Sequence, residues 1–296
     1  MRKSTSLLIS IFFIAFSILN AEEEKKKSFE IFAFANVNFS AVNTTYQNNF
    51  ELDFDAAKPG SYASQILTLQ GKAREGFNAG FTYFMSEKFG IKFSLNYSRN
   101  LLSGENSPYK IYLKYISIHP PDYVPHEVTY DETYDWLTTQ GNLKTFSFFT
   151  NLQYRFVISK NTTASFSAGS GFYRVYGNFN PLGYSEFWLG GHGVLFSEHY
   201  LVMLKIPSSG KIGFNTDFEL NFRLSKNFSF AAKLAYNLCG NISIIPVIDK
   251  VLFYPYLGKV AENKLSKIKD QMKLKSLKIN PSFLSLNFGI KYSLNI

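Results

Sequence analysis

The chain has 296 residues, 46% of them hydrophobic, with 31 Phe, 19 Tyr, a single Cys and a formal net charge of +9. One cysteine excludes an intramolecular disulfide framework, and no apolar run beyond the N-terminal region is long enough for a spanning helix. Helical membrane insertion is therefore excluded for the body of the chain, and Cys239 is expected to be a buried, inert thiol.

Residues 1–21 have the anatomy of an export signal: Arg2 and Lys3, then an apolar core from Leu7 to Leu19, too short to span a bilayer. Cleavage is expected after Ala21, although Leu19 is larger than the residue usually found at that place. No Cys follows the core, so no lipid anchor is expected. Losing Arg2 and Lys3 takes the net charge from +9 to +7. Residues 22–28 read as a charged lead, opening with EEEKKK.

From residue 29 onward the pattern is period two, the signature of strands with two unlike faces. In the first strand, 29–42, Phe29, Ile31, Val37 and Phe39 oppose Glu30, Asn36, Asn38 and Ser40. Residues 43–72 read as polar and irregular. A hairpin follows: Phe77, Ala79, Phe81, Tyr83 and Met85 share one phase before the turn Ser86-Glu87-Lys88, and Phe89, Ile91, Phe93, Leu95 and Tyr97 share it afterwards. After an excursion over 102–143, strands are predicted at 144–158 and 162–177 around Ser159-Lys160-Asn161. After a second excursion, 178–210, they follow at 211–224 and 228–238 around Ser225-Lys226-Asn227. A last excursion, 240–280, leads to the closing strand 282–296. The count is eight strands, with connections alternating long and short, and the three short turns form a weak internal repeat.

The outward face is chosen by two patterns. Tyr83, Tyr154 and Tyr292 sit near the short-turn ends of their strands, and Tyr97, Tyr176 and Tyr236 near the long-loop ends. Two such rings around an apolar band suit the two membrane interfaces, where the ring is apolar and the hydroxyl wants water. The opposite phase carries Lys92, Arg155, Asp217, Glu219, Lys233 and Lys291. Burying these in an ordinary sandwich core would cost several kcal/mol for each unpaired charge, whereas in a closed barrel they face one another. The expected fold is all-β, an eight-stranded antiparallel up-and-down transmembrane barrel over 29–296 with long extracellular loops.

Signal, alternating strands, four long loops and the closing stretch Asn287 to Leu294, NFGIKYSL, together make the chain similar to the small outer-membrane barrels of the OmpA, OmpX and OmpW kind. The resemblance covers 29–296. It implies location in the cell outer membrane, contact with outer-membrane lipid and insertion by the barrel assembly machinery through the terminal β-signal. Members often end on an aromatic residue, whereas this chain ends on Ile296.

Eight strands leave an interior that side chains fill, so the lumenal charges are expected to plug the barrel. A non-enzymatic monomer is expected, without cofactor, metal or nucleic-acid partner, whose loops bind an extracellular or host ligand. A narrow channel for small solutes or hydrophobic molecules is the alternative. Within 102–143, Lys110 to Ile118 alternates again, which suggests a hairpin beyond the membrane, among the acids and aromatics Asp122, Glu127, Asp131, Glu132, Asp135, Tyr130, Tyr134 and Trp136. His119 and His126 lack a metal-ligand spacing. In 259–279, apolar residues at near-helical spacing, with Lys264, Lys267, Lys269, Lys273 and Lys275 around them, predict a basic amphipathic helix, a candidate contact for anionic head groups. In the third loop, His192, Ser197, Glu198 and His199 are the residue types of acyl-transfer chemistry. Nothing fixes a nucleophile beside a base there, and Trp188 to Val194 reads as a flexible apolar flap.

Overall fold

The computed structural model describes residues 27–52, 57–104, 108–118, 124–134, 138, 140–190, 195–254, 258–260 and 262–295. The export signal and residues 22–26 of the charged lead lie outside them, as do His119, Asp122, Asp135, Trp136 and His192. The described chain holds sixteen strands and one helix. Strand β1 (Ser28–Ser40) precedes the hairpin of β2 (Asn43–Glu51) and β3 (Tyr62–Lys72), and β4 (Arg74–Phe84) and β5 (Phe89–Ser103) flank the first short turn. The hairpin of β6 (Tyr109–Ile118) and β7 (Pro125–Tyr134) leads to three long strands, β8 (Gln140–Ser159), β9 (Thr162–Leu189) and β10 (Leu195–Arg223). Then come β11 (Phe228–Leu238), β12 (Ile242–Ile244), β13 (Val247–Tyr254), β14 (Gly258–Lys259), helix α1 (Glu262–Gln271), β15 (Leu277–Ile279) and β16 (Phe283–Asn295).

Eight of these strands close a ring. β1 pairs with β4, β4 with β5, β5 with β8, β8 with β9, β9 with β10, β10 with β11 and β11 with β16, all antiparallel. β16 then pairs along its whole length with β1, from Ser28↔Asn295 to Ser40↔Phe283. Closure pairs each ring strand on both sides and leaves no edge within it. Two of the three short turns share a cause: Ser86 Oγ accepts from the Phe89 N–H at 3.1 Å and Ser225 Oγ from the Phe228 N–H at 3.2 Å, so each of these serines caps its own reversal.

The ring is apolar outside. Ile31, Phe77, Leu95, Phe148, Phe172, Phe218, Leu234 and Leu286, one from each strand, are each 40 to 50% exposed. Such a belt would be an aggregation surface in water and is what a bilayer solvates. The inward phase is polar, from Lys92, Ser94 and Asn96 on β5 to Asn215, Asp217 and Glu219 on β10.

Beyond the long-loop end the polarity reverses. On β9 the inward phase passes from Ser165 and Ser167 to Tyr173, Val175 and Phe179, all buried. Tyr173 meets Phe149 of β8 edge to face at 5.1 Å. There an apolar core begins, joined by Tyr46 and Phe50 of β2, Leu67 and Leu69 of β3, Ile111 and Leu113 of β6, Leu201, Val202 and Leu204 of β10, and Ile268 of α1. The long connections thus build a folded head directly on the barrel.

This corrects three expectations. Residues 43–72 are no irregular stretch: β2 and β3 pair from Asn43↔Gln70 to Glu51↔Tyr62. Their Thr, Asn and Gln content hides a period-two pattern whose buried phase is Tyr46, Asn48 and Phe50. Residues 178–210 are largely strand, because β9 and β10 run on past the barrel and stay paired out to Leu195↔Leu189 with two register shifts. Trp188 is accordingly part of a strand, stacked on Phe196 with centroids 6.0 Å apart, so the described part of the expected flap is ordered sheet. The expected helix over 259–279 is α1 alone. Met272, Leu277 and Ile279 are buried while Lys273, Lys275 and Lys278 are exposed, and Leu277–Ile279 pairs with β12.

Candidate functional site

Three places in the molecule concentrate polar chemistry. The first is the lumen, where strand tilt and closure bring together residues far apart in sequence. Lys92 Nζ lies 2.9 Å from Asp217 Oδ1 and 3.3 Å from Glu219 Oε2. Lys291 Nζ lies 2.6 Å from Glu219 Oε1 and 2.7 Å from Glu30 Oε2, and Arg155 is ion-paired to Glu30. Ser167 donates to Asp217 at 2.6 Å. Lys233 has no carboxylate partner among the described residues. It donates to Asn78 and stands over the Phe34 ring, 4.4 Å from its centroid. Phe32 lies beside both lysines, 5.3 Å from Lys92 Nζ and 5.5 Å from Lys233 Nζ, where a ring face stabilises a cation. Above and beside the ions, amides connect the walls: Asn215 donates to Asn237 at 3.0 Å and Thr82 to Gln153 at 3.1 Å.

Glu30, Phe32 and Phe34 were not among the residues singled out for the lumen. Glu30 alternates correctly, but nothing in its neighbourhood marks it as the partner of Lys291 and Arg155. Phe32 and Phe34 break the apolar-out rule, and they do so because two lumenal lysines need aromatic faces. Of the six outward tyrosines, Tyr154 packs on Phe89 at 4.7 Å, Tyr292 on Phe228 at 4.9 Å, and Tyr176 lies under Lys144 at 5.8 Å. Tyr83 pairs across strands with Phe29 and Ile91, and Tyr97 and Tyr236 are exposed at the opposite end.

The second place is the far end of the head. There β9 and β10 present two faces. On one, Tyr184, Glu186, Glu198 and Tyr200 meet α1: Lys264 pairs with Glu186 and approaches Glu198 at 3.6 Å, Lys267 lies 3.5 Å from Glu186, and Tyr184 donates to Gln271. On the other, Ser185, Phe187 and His199 face the β6–β7 hairpin, with Tyr130 against Phe187 at 6.3 Å and Tyr134 against His199 at 5.2 Å.

Lys264 and Lys267 therefore turn toward carboxylates of the head rather than toward head groups. Glu186 lies twelve residues beyond Arg174 at the rim, about 40 Å of strand. Lys269, Lys273 and Lys275 are exposed. Of His192, Ser197, Glu198 and His199, His192 lies outside the described residues, and His199 makes two hydroxyl contacts. Ser185 Oγ is 2.7 Å from His199 Nδ1 and Ser197 Oγ is 3.5 Å from Nε2, while Glu198 accepts from Tyr200 instead. Burial lowers the His199 pKa below its ordinary value. Ser185 was missed because its partner lies across a strand pair, fourteen residues away.

The third place is β7, the last strand at one edge of the sheet. Among the described residues it pairs with β6 alone, from Tyr109↔Tyr134 to Ile118↔Pro125. Its side chains are largely exposed, including Glu127, Asp131 and Glu132. A hydrogen bond from Lys58 holds the Glu127 carboxyl below its ordinary range.

No family model matches the chain, and no curated protein does. Among solved structures the chain is similar to the outer membrane protein OprG from Pseudomonas aeruginosa, at 10% identity over 92% of this chain and 98% of that one, with a TM-score of 0.43. It is also similar to Ail, the attachment invasion locus protein of Yersinia pestis, solved in complex with the heparin analogue sucrose octasulfate. There the identity is 10% over 92% of this chain and 100% of that one, TM-score 0.31. The outer membrane protease OmpT from Escherichia coli gives 9% over 91% and 97%, TM-score 0.37. The barrel itself rests on the closed ring of pairings and the exposed apolar belt.

Proposed function

We propose that this is a surface-binding outer-membrane barrel whose lumen is plugged and whose head captures an extended partner segment outside the cell. The observation that carries this is the edge strand β7, paired on one side only among the described residues and largely exposed. An open edge binds by strand addition, in which backbone hydrogen bonds supply affinity and flanking side chains supply selectivity. Glu132, beside Glu127 and Asp131 that are already ion-paired to Lys58 and Lys110, favours a cationic segment. The filled lumen, with Lys92, Lys291 and Arg155 ion-paired to three carboxylates and Lys233 donating to Asn78, favours a scaffold over a conduit.

The test uses the refolded barrel over an array of immobilised extended peptides of graded charge. Neighbouring N–H groups of a strand point to opposite sides. Of Val128→Pro and Thr129→Pro, one therefore removes the outward donor and the other disturbs the ladder to β6. Binding of cationic peptides that is lost in the variant with an intact head supports the reading. Equal binding by both variants and the parent would refute it.

A hydrolytic reading has one observation in its favour, the bracketing of His199 by Ser185 and Ser197. A base held neutral by burial beside an exposed hydroxyl is the minimum for acyl transfer. Labelling of Ser197 by a fluorophosphonate probe, abolished by His199→Gln, would favour that reading over surface binding.

A further inference from the structure

On the outside of the ring, three cross-strand rows lie one above another at the long-loop end of β5, β8 and β9. The lowest, Tyr97–Phe146–Arg174, stands directly on the apolar row Leu95–Phe148–Phe172. Above it comes Arg99–Lys144–Tyr176, and above that Leu101–Asn142–Asn178, extended by Lys205 of β10. These rows hold four cations and no carboxylate, and Glu75, the nearest acid in register on the adjoining β4, is ion-paired to Arg74 at 3.8 Å. None of Arg99, Lys144, Arg174 and Lys205 has an ion-pair partner among the described residues.

Their arrangement points at a missing charge of the opposite sign. Arg99 and Lys144 are direct cross-strand partners, about 5 Å apart at Cβ, and like charges in that relation are destabilising unless an anion lies between them. The side chains are also held in place. Arg99 Nε donates to Asn142 at 3.2 Å, Arg174 Nε donates to Ser208 at 2.7 Å, and Lys144 rests over Tyr176. Each guanidinium thus uses Nε inside the protein and keeps its terminal nitrogens for something else.

We propose that this patch binds the phosphate groups of a lipid in the outer leaflet, with acyl chains lying on Leu95, Phe148 and Phe172. The proposal rests on the outer-membrane reading with this end outside. Height selects a lipid over a soluble anion, because the cations begin within one row of the lipid-facing belt. The number and spread of the cations select a head group with more than one phosphate, since forked guanidinium donors and lysine charges can share two anionic centres. Lys264 and Lys267 of α1 are held by Glu186, about 40 Å of strand beyond Arg174.

The experiment is native mass spectrometry of the refolded barrel in detergent, titrated with diphosphorylated lipid A, its dephosphorylated form, phosphatidylglycerol and inorganic phosphate. The variant is Arg99→Gln, Lys144→Gln and Arg174→Gln together, with Lys160→Gln and Lys226→Gln at the opposite end as control. Heat-dependent gel mobility reports folding of each, so failure of the barrel is separated from failure of the site. Lipid A should bind the parent and the control alike, at least tenfold more tightly than its dephosphorylated form or inorganic phosphate, and should lose tenfold or more in the triple variant. If that variant does not fold, Lys144→Glu alone should show the loss. Equal binding by parent and folded variant would overturn the proposal. So would equal affinity for the dephosphorylated form, or a preference for phosphatidylglycerol.

Discussion

Lys92 and Asp217 stand on opposite walls of the ring, 125 residues apart in sequence, and close to 2.9 Å between Nζ and Oδ1. Both are buried almost completely, and Glu219 shares the same ammonium. Removing one member strands the others in a confined space. Lys92→Met should therefore destabilise the refolded barrel by about 3–5 kcal/mol, read as a lowered urea midpoint. Adding Asp217→Asn should recover part of the loss. A double variant as weak as the sum of the two singles would show that the pair is not coupled.

The same contacts predict silence in electrical recording. In planar bilayers the parent should give no discrete conductance steps, because the ion pairs and amide bridges fill the cross-section. Replacing Lys92, Asp217 and Glu219 together by Ala should open small steps in the folded barrel. Steps in the parent would restore the channel reading.

His199 gives the head a pH dependence. Its pKa is lowered by burial in the folded state, so the folded head binds that proton less readily than the unfolded chain. Stability is then fully present above about pH 6.5, the unfolded value, and falls as the pH drops toward the lowered folded value. Hydrogen exchange near Ser185 and His199 should accelerate beyond the intrinsic chemistry as the pH falls below about 6.5. In His199→Gln this excess should vanish, and its persistence would move the effect to another group.

Helix α1 is pinned by one fully buried residue, Ile268, with Lys264 and Gln271 contacting β9. Ile268→Ala should cost about 2–5 kcal/mol of local stability, seen as new protease cuts within 262–271 while the barrel keeps its folded gel mobility. An unchanged digest would mean that α1 docks through its polar contacts alone.

The ring was legible in the sequence because a bilayer enforces one rule on every strand. Phe77 to Met85 and Phe89 to Tyr97 alternate cleanly when one face meets lipid and the other a polar lumen. The head obeys the opposite rule, apolar inside and polar outside, and the change occurs within single strands such as β9, between Ser167 and Tyr173. Reading outward from the membrane, that inversion looks like the end of the strand. β2 was hidden for a related reason: Thr45, Gln47 and Asn49 are its solvent face, and only Tyr46 and Phe50 reveal the core. The contacts Glu30 to Lys291 and Ser185 to His199 are products of closure and register, which alternation alone does not encode. The rim cations were legible as residues but not as a patch, because Arg99, Lys144, Arg174 and Lys205 become neighbours only once four strands are aligned.

The most direct measurement is labelling of intact cells with a membrane-impermeant maleimide. Cys239 is buried and should stay silent, so a cysteine placed at Thr129 on β7 or at Lys226 in a short turn reports its own side of the membrane. A closed barrel with its head outside predicts that Thr129→Cys labels on intact cells and Lys226→Cys only after lysis. Labelling of Lys226→Cys on intact cells, with Thr129→Cys protected, would contradict it.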